Sequence, residues 1–567
     1  MATDSTATSP PPTSLSAEER KVIFASSLGT VFEWYDFYLY ATLTPFFAAT
    51  FFPPGNETAQ LIGALGAYAA GFLVRPFGAL VFGRVGDLVG RKYTFLITIT
   101  VMGISTFGVG LLPSYATLGV ASLILLIVLR LMQGLALGGE YGGAAIYVAE
   151  HSHPARRGYS TSWIQTTATL GFFLSLAIIL TCRQSLPKAF ADWGWRIPFW
   201  VSLLLLIFSI YIRLKLHESP VFLKMKQENR VSKKPLSESF LRYPNNKYVL
   251  LALFGAVAGQ GVVWYTGQFY ALFFLTGPLK LDYSIAYILI GIALLIGTPL
   301  FLVFGKLSDR IGRRKIILAG CAIAAVTYFP AFKLLAHFTN PDLTDFSERT
   351  PISVAADNCV FHTLPLPTTE YTQCDRVKNF LTTAGLSFTT GPAEPGKEVV
   401  TKIGDLPPIE GWQLAGGKPA PRIGSSANDP RFLEALLQKG YPDLAKRLKD
   451  GKESVEFVPA DSSKINYVMV LLILVFLIVL VTMVYGPIAA LLVELFPAKI
   501  RYTSMSLPYH LANGWIGGML PFVTTAMAAS SGNIYRGLWY PIVFAVITVV
   551  VGGLFLHDPP RDFDIHA

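Results

Sequence analysis

The sequence predicts an all-α membrane protein: twelve transmembrane helices in two six-helix halves, with a small soluble extracytoplasmic insertion between helices nine and ten. Three observations carry this reading. Of 567 residues, 52% are hydrophobic and only 14% are charged, against about 25% charged residues in soluble domains. The charge is uneven, with 31 of the 128 residues in 338–465 charged. A short polar pattern also occurs twice, after the second and the eighth apolar run. A soluble enzyme spread over the whole chain is excluded. Disorder is excluded by 40 Phe, 25 Tyr and 9 Trp, and a disulfide-dense scaffold by the four cysteines.

Spanning a bilayer takes roughly 20 mostly apolar residues. Twelve runs meet that measure: 21–50, 59–83, 93–112, 116–149, 159–183, 195–216, 248–276, 284–305, 315–337, 466–495, 503–526 and 537–557. They are too long and too unalternating for barrel strands. Small residues such as Gly63, Gly66, Gly71, Gly138, Gly139, Gly142 and Gly143 let helices approach closely in lipid.

Loop charge orients the chain. Loops 84–92, 151–158, 217–247, 306–315 and 496–502 hold 19 Lys/Arg, and the opposite short loops hold 4. The basic set is expected in the cytoplasm. Both tails, 1–20 and 558–567, then lie there too, in a plasma (bacterial inner) membrane, and 338–465 lies outside. The net charge of +10 is explained by this bias, and no nucleic-acid partner is expected. The N-terminus lacks the basic start and cleavage site of a signal peptide. Domain boundaries follow: an N-terminal half 21–216, a cytoplasmic linker 217–247, and a C-terminal half in two parts, 248–337 and 466–557.

The repeat supports two halves. Gly83-Arg84-Val85-Gly86-Asp87-Leu88-Val89-Gly90-Arg91-Lys92 is matched by Gly305-Lys306-Leu307-Ser308-Asp309-Arg310-Ile311-Gly312-Arg313-Arg314-Lys315. Each half also carries a glutamate seven residues before an arginine: Glu150 with Arg157, and Glu494 with Arg501. Asp87 to Glu150 is 63 residues and Asp309 to Glu494 is 185. The excess of 122 is close to the length of the charged block. Two similar six-helix halves are a transporter architecture.

With these motifs the chain resembles the major facilitator superfamily. Phe32-Glu33-Trp34-Tyr35-Asp36-Phe37, Arg130-Leu131-Met132-Gln133-Gly134, Gly138-Gly139-Glu140-Tyr141-Gly142-Gly143 and Trp193-Gly194-Trp195-Arg196-Ile197-Pro198-Phe199 resemble its metabolite:proton symporters. Those include permeases for alpha-ketoglutarate, shikimate, citrate, and proline or betaine. The resemblance implies proton-coupled uptake of a small organic solute, an organic acid anion first and a zwitterion such as betaine or proline as the alternative. It implies a monomeric transport unit in the lipid bilayer, no enzymatic activity, and no cofactor beyond the coupling proton. It covers the twelve runs and not 338–465.

Ionisable groups at mid-membrane are costly and need partners or water. Glu33 lies roughly 18 Å along a helix from Lys21, and Asp36 is one turn further on nearly the same face. Arg130 is near the midplane of the fourth run. The resemblance implies an Asp36–Arg130 proton-coupling pair; the alternative is a static ion pair fixing helix register. Glu140, roughly 15 Å beyond Arg130, is a second proton site or a packing partner. Arg75, before Pro76, faces the cavity or the cytoplasmic gate. Aromatic and amide groups offer the substrate contacts Trp163, Gln165, Gln260, Trp264, Gln268, Tyr509 and Asn513, each with helix packing as its alternative. Gln260, Trp264 and Gln268 fall on one helical face. The resemblance also implies a gate built from Gly83, Asp87, Gly90, Arg91, Glu150 and Arg157, with Gly305, Asp309, Gly312, Arg313, Glu494 and Arg501 as its second copy. Spacing alone shows only duplication.

In the insertion, Phe432, Leu433, Leu436, Leu437, Leu444 and Leu448 predict a helix starting at Asn428-Asp429-Pro430. Cys359 and Cys374 are expected to form a disulfide on the oxidising side. Cys359 and His362 lack two further metal ligands, so no metal site is expected. The Asn56-Glu57-Thr58 sequon is expected to stay unused. Antiport is disfavoured because 159–183 has no Gly-Pro. A transporter-fold sensor signalling through the insertion lacks any kinase, cyclase or protease motif. Without a phosphate-binding Gly-rich loop, primary pumping is unsupported.

Overall fold

The computed structural model describes residues 16–51, 57–215, 218–357, 359, 372–413, 429–449 and 452–558. Asn56, His362, most of the N-terminal tail and residues 559–567 lie outside the described residues. The long helices are α1 (Ala17–Phe51), α2 (Glu57–Leu88), α3 (Arg91–Leu111), α4 (Val120–Glu150), α5 (Arg157–Ser185), α6 (Arg196–Leu214), α7 (Asn245–Thr276), α8 (Tyr283–Ile311) and α9 (Arg313–Thr339). After an α/β unit come α13 (Tyr467–Leu495), α14 (501–531, interrupted by a turn at 517–519) and α15 (Trp539–Phe555). Among the described residues nine helices are long and apolar enough to cross a membrane: α3 to α9, α13 and α15. Lipid gives backbone groups no partner, so an apolar run of that length closes its hydrogen bonds as a helix.

The α/β unit holds α10 (Pro341–Arg349), β1 (Ile352–Ala356), α11 (Gln373–Thr383), β2 (Thr389–Gly391), β3 (Val399–Ile403), β4 (Ile409–Glu410), α12 (Pro430–Gln438), β5 (Leu444–Lys449) and β6 (Lys452–Phe457). One sheet has the order β2-β1-β3-β4, parallel only between β1 and β2, and β5-β6 form a hairpin. Its core is its own: Val354, Phe380, Val399, Phe432 and Leu436 pack together, separate from the bundle core. Cys359 and Cys374 are joined, with Cα atoms 5.2 Å apart. The predicted helix through Leu448 is corrected. It starts as expected, capped by Asp429 with Pro430 in the first turn, and stops at Gln438. Gly440 takes φ +76°, Pro442 follows, and Leu444 and Leu448 lie on β5.

The repeated motifs are also corrected from loops to helix ends. α2 runs on to Leu88 and α8 to Ile311, so Asp87 and Asp309 sit on their last turns. Gly90 (φ +135°) and Gly312 (φ +105°) then stand at the N-caps of α3 and α9, a geometry that strains any side chain. α7 contains π-turns at Leu253–Val257 and Thr266–Tyr270, and α14 one at Leu511–Ile516. Such turns are frequent at functional sites.

Candidate functional site: a charged cavity behind a two-fold latch

α1, α2, α3 and α4 enclose a cavity of about 30 Å³, room for about two waters. Asp36, Arg75, Arg130 and Gln133 supply its polar wall, and Phe37, Phe72, Met102 and Leu137 its apolar one. The three ionisable groups are all buried: Asp36 is 7% exposed, Arg75 7% and Arg130 5%. Asp36 Oδ1 accepts from Ser202 Oγ at 2.7 Å, and the Thr106 hydroxyl also reaches the carboxyl. The Arg130 guanidinium lies over the Tyr40 ring, 3.3 Å from its centroid, and Asp36 is within its electrostatic reach. Arg75 lies 5.5 Å from the Phe72 centroid and within hydrogen-bonding range of the Tyr265 hydroxyl. Its place is the cavity, not the gate.

Neither Glu33 nor Glu140 lines the cavity of Asp36, Arg75 and Arg130. They share Arg213 of α6, a residue the sequence reading passed over. Arg213 Nη2 donates to Glu33 Oε1 and Nη1 to Glu140 Oε1, both at 2.7 Å. It lies two positions before Lys215, near the end of the sixth run. The usable signal was its position inside the apolar run.

Of the predicted substrate contacts only Arg75 lines the cavity. Gln260 and Asn513 instead form a reciprocal amide pair between α7 and α14, at 3.2 and 3.1 Å. Gln268 accepts from Tyr38 OH at 3.1 Å, and Trp264 packs on Trp34 with centroids 5.5 Å apart. Gln260 thus meets α14 while Trp264 and Gln268 meet α1. Gln165 donates to Tyr141 OH at 2.8 Å, and the Tyr141 ring stacks on Tyr509 at 3.8 Å. Trp163 packs beside Ile164 and Tyr147 in a separate apolar cluster. The Tyr38–Gln268, Trp34–Trp264 and Tyr141–Tyr509 contacts lie in the seam between the halves.

The repeated motifs meet across that seam. Asp87 accepts from the backbone N–H groups of Tyr502 (3.3 Å) and Thr503 (2.8 Å), the first turn of α14. Asp309 accepts from those of Gly158 (2.9 Å) and Tyr159 (2.8 Å), the first turn of α5. Each half thus caps a helix of the other, with a carboxylate placed on the positive end of the helix dipole. The glutamates cross as well. Arg501 donates to Glu150 at 2.9 Å, while Arg91 is 3.9 Å from it. Arg313 donates to Glu494 at 3.0 Å, and Arg157 is in electrostatic contact with Glu494. Arg91 also bonds Ala498 O at 3.0 Å, and Arg313 Nη1 lies 2.7 Å from Asp309. Close packing explains the remaining motif glycines: a Cβ at Gly83 would lie 3.0 Å from Thr503 Cα, and one at Gly305 would meet Ser162.

Residues 21–243 match the family model described as sugar (and other) transporter. The proline/betaine transporter of Escherichia coli (strain K12) is 39% identical over 326 residues, 56% of this chain and 65% of that one. The inner membrane metabolite transport protein YhjE of Escherichia coli (strain K12) is 37% identical over 338 residues, 57% of this chain and 74% of that one. The glycine betaine/proline/ectoine/pipecolic acid transporter OusA of Dickeya dadantii (strain 3937) is 36% identical over 330 residues, 56% and 64% of the two chains. The chain spans under two thirds of the length of the proline/betaine transporter, 65%. The fold is that of the major facilitator superfamily proton:xylose symporter XylE bound to 6-bromo-6-deoxy-D-glucose, at TM-score 0.58 and 16% identity over 95% of this chain and 96% of that one. The XylE double-Trp mutant gives 0.59 at 14% identity, over 97% and 98%. With a mostly helical bundle, duplicated motifs and these relatives, the chain belongs to the sugar (and other) transporter family and has the fold of the major facilitator superfamily.

Proposed function

We propose that the protein is a proton-coupled symporter that takes up a small carboxylate-bearing solute by alternating access. In this reading α1 to α9 and α13 to α15 are the twelve spans of one monomeric transport unit. The latch end and both termini face the cytoplasm, and the α/β unit faces outward. The observation that supports it is the cavity where Asp36, Arg75 and Arg130 meet. With Asp36 ionised, one of two guanidinium charges is already balanced. A proton on Asp36 raises the local charge by one and frees a cation for the solute carboxylate. At about 5 Å and an effective dielectric of about 20, a unit charge is worth about 3 kcal/mol. That couples proton and anion about a hundredfold, in both directions.

Organic acid and zwitterion share the carboxylate and differ in what else they carry. The relatives' names favour the zwitterion as a second reading. So do the rings at the cavity wall, Phe37 and Phe72, backed by Trp34, Tyr38 and Phe269, because aromatic faces attract quaternary ammonium groups. Counterflow of radiolabelled carboxylates and betaines in proteoliposomes identifies the solute. Accumulation under an inward proton gradient, abolished by a protonophore, tests the coupling. Asp36→Asn should lose accumulation and keep exchange. Full accumulation by that variant, or wild-type accumulation indifferent to the protonophore, refutes the proposal.

A further inference from the structure

Behind the cavity, Glu33, Arg213 and Glu140 place two carboxyls on one guanidinium, at 2.7 Å each. All three are buried: Glu33 is 6% exposed, Glu140 1% and Arg213 1%. The set carries a charge of −1 when both carboxyls are ionised, in a setting where unbalanced charge is severely penalised. The two carboxyls are also within hydrogen-bonding range of each other. Among the described residues no donor reaches Glu140 Oε2. Two acceptors in contact need a proton between them, and this is where one fits.

Among the described residues no second cation pairs with either carboxyl. α3 offers the Phe95 carbonyl, 3.1 Å from Arg213 Nη1, and the Phe95 ring, 3.5 Å from Arg213 Cζ. The titratable groups that face the set are Asp36 of α1, Tyr485 of α13 and Tyr502 of α14. Asp36 and Glu33 line one small cavity together, between α1, α3 and α6 and of about 10 Å³, with Ser202 on its wall. A single water fits there. On the other side Tyr502 touches both systems. Its backbone N–H is held by Asp87, and its hydroxyl donates to Gly139 O, next to Glu140.

We propose that Glu33, Arg213 and Glu140 form a second proton-holding site, which receives the coupling proton from Asp36 and releases it when the latch opens. This rests on the proton coupling proposed above. In the transfer Asp36 loses its proton to the water between it and Glu33, and that water passes one on to the carboxyl pair. Asp36 is left ionised, and the pair gains one proton. Parting of α14 from α4 then admits bulk water, which takes the proton away.

Two measurements on the full-length protein test this. In weakly buffered detergent solution, acid–base titration between pH 5 and 9 counts bound protons in wild type, Glu140→Gln and Glu33→Gln. Each variant should bind one proton fewer than wild type near neutrality, because the remaining pair is charge-balanced. Equal counts in wild type and in both variants overturn the proposal. In proteoliposomes, one coupled proton sustains about tenfold accumulation across a gradient of about one pH unit. Both variants should lose that accumulation and keep counterflow. A merely structural role would lower counterflow and accumulation together, and that result also overturns it. If wild-type accumulation ignores the gradient, the coupling reading fails, and the proton count alone decides whether the triad holds a proton.

Discussion

Asp443 sits where the α/β unit meets the bundle, 2% exposed, accepting from Asn340 Nδ2 at 2.8 Å. Burial pushes its carboxyl up to about 6, against the Asn340 hydrogen bond and the charge of Lys280, with Asp342 pushing the same way as burial. Lys280, on the loop before α8, is lowered to about 8 by burial, with Asp443 opposing. Because Asp443 binds its proton more tightly folded than unfolded, its contribution to stability is greatest in acid and is lost as pH rises through about 6. The Lys280 contribution is lost as pH falls through about 8 and is nearly constant below about 7. Between pH 7 and 5 only Asp443 changes, and the junction should gain about 1 kcal/mol. The reporter is the Ala460 amide, which donates to Lys280 O at 2.8 Å. Corrected for intrinsic rate, its hydrogen exchange should slow by about fivefold at pH 5. Asp443→Asn should flatten the dependence. Protection that stays constant, or falls in acid, contradicts the assignment.

At the scale of helices, the latch shows what a sequence repeat reveals and what it hides. The two copies fixed which residues matter: Asp87, Asp309, Glu150, Glu494 and the arginines around them. They could not show that each carboxylate acts on the other half, since duplication within a chain carries no information about which helix faces which. Arg501 stands seven residues after Glu494 in the sequence and is found on Glu150. Arg213 was hidden for a related reason: its partners lie 180 and 73 positions away. The amide pair Gln260–Asn513 was visible as two polar residues in apolar runs, while Asn513 lies in the π-turn of α14, which sequence periodicity does not show. The latch makes a prediction. Each carboxylate cap is worth roughly 1–3 kcal/mol. Asp87→Ala with Asp309→Ala should therefore shift the protein from latched to open by a hundredfold or more, on the order of 3 kcal/mol in total. Spin labels at positions 84 and 499, one in each half, should report a longer distance in the double variant. An unchanged distribution means the caps do not hold that end shut.

For the molecule as a whole, the sequence separated lipid-like from soluble-like segments by charge density, and the structure gives 341–457 a core apart from the bundle. What charge density could not convey is how firmly that unit is seated. Phe388 N–H donates to Gly532 O at 2.6 Å, Asn340 Nδ2 to Leu279 O at 3.1 Å, and Lys280 Nζ to Thr383 O. A Cβ at Gly385 would collide with Pro278. All these contacts fall on the C-terminal half, so the unit should travel with that half during transport. Among the described residues, none that lines the charged cavity comes from it. Its two ends also meet, since Asn466 N–H donates to Phe338 O at 2.9 Å. The bundle should therefore close without it. Replacing residues 341–462 by a short Gly/Ser linker should preserve membrane insertion and proton coupling. Rate or affinity should change, because the loop before α8 loses its cover. Solute binding by the purified deletion protein in detergent is the measurement. A correctly inserted deletion protein that binds nothing would place the unit in the substrate site and overturn the separation of roles argued from the two cores.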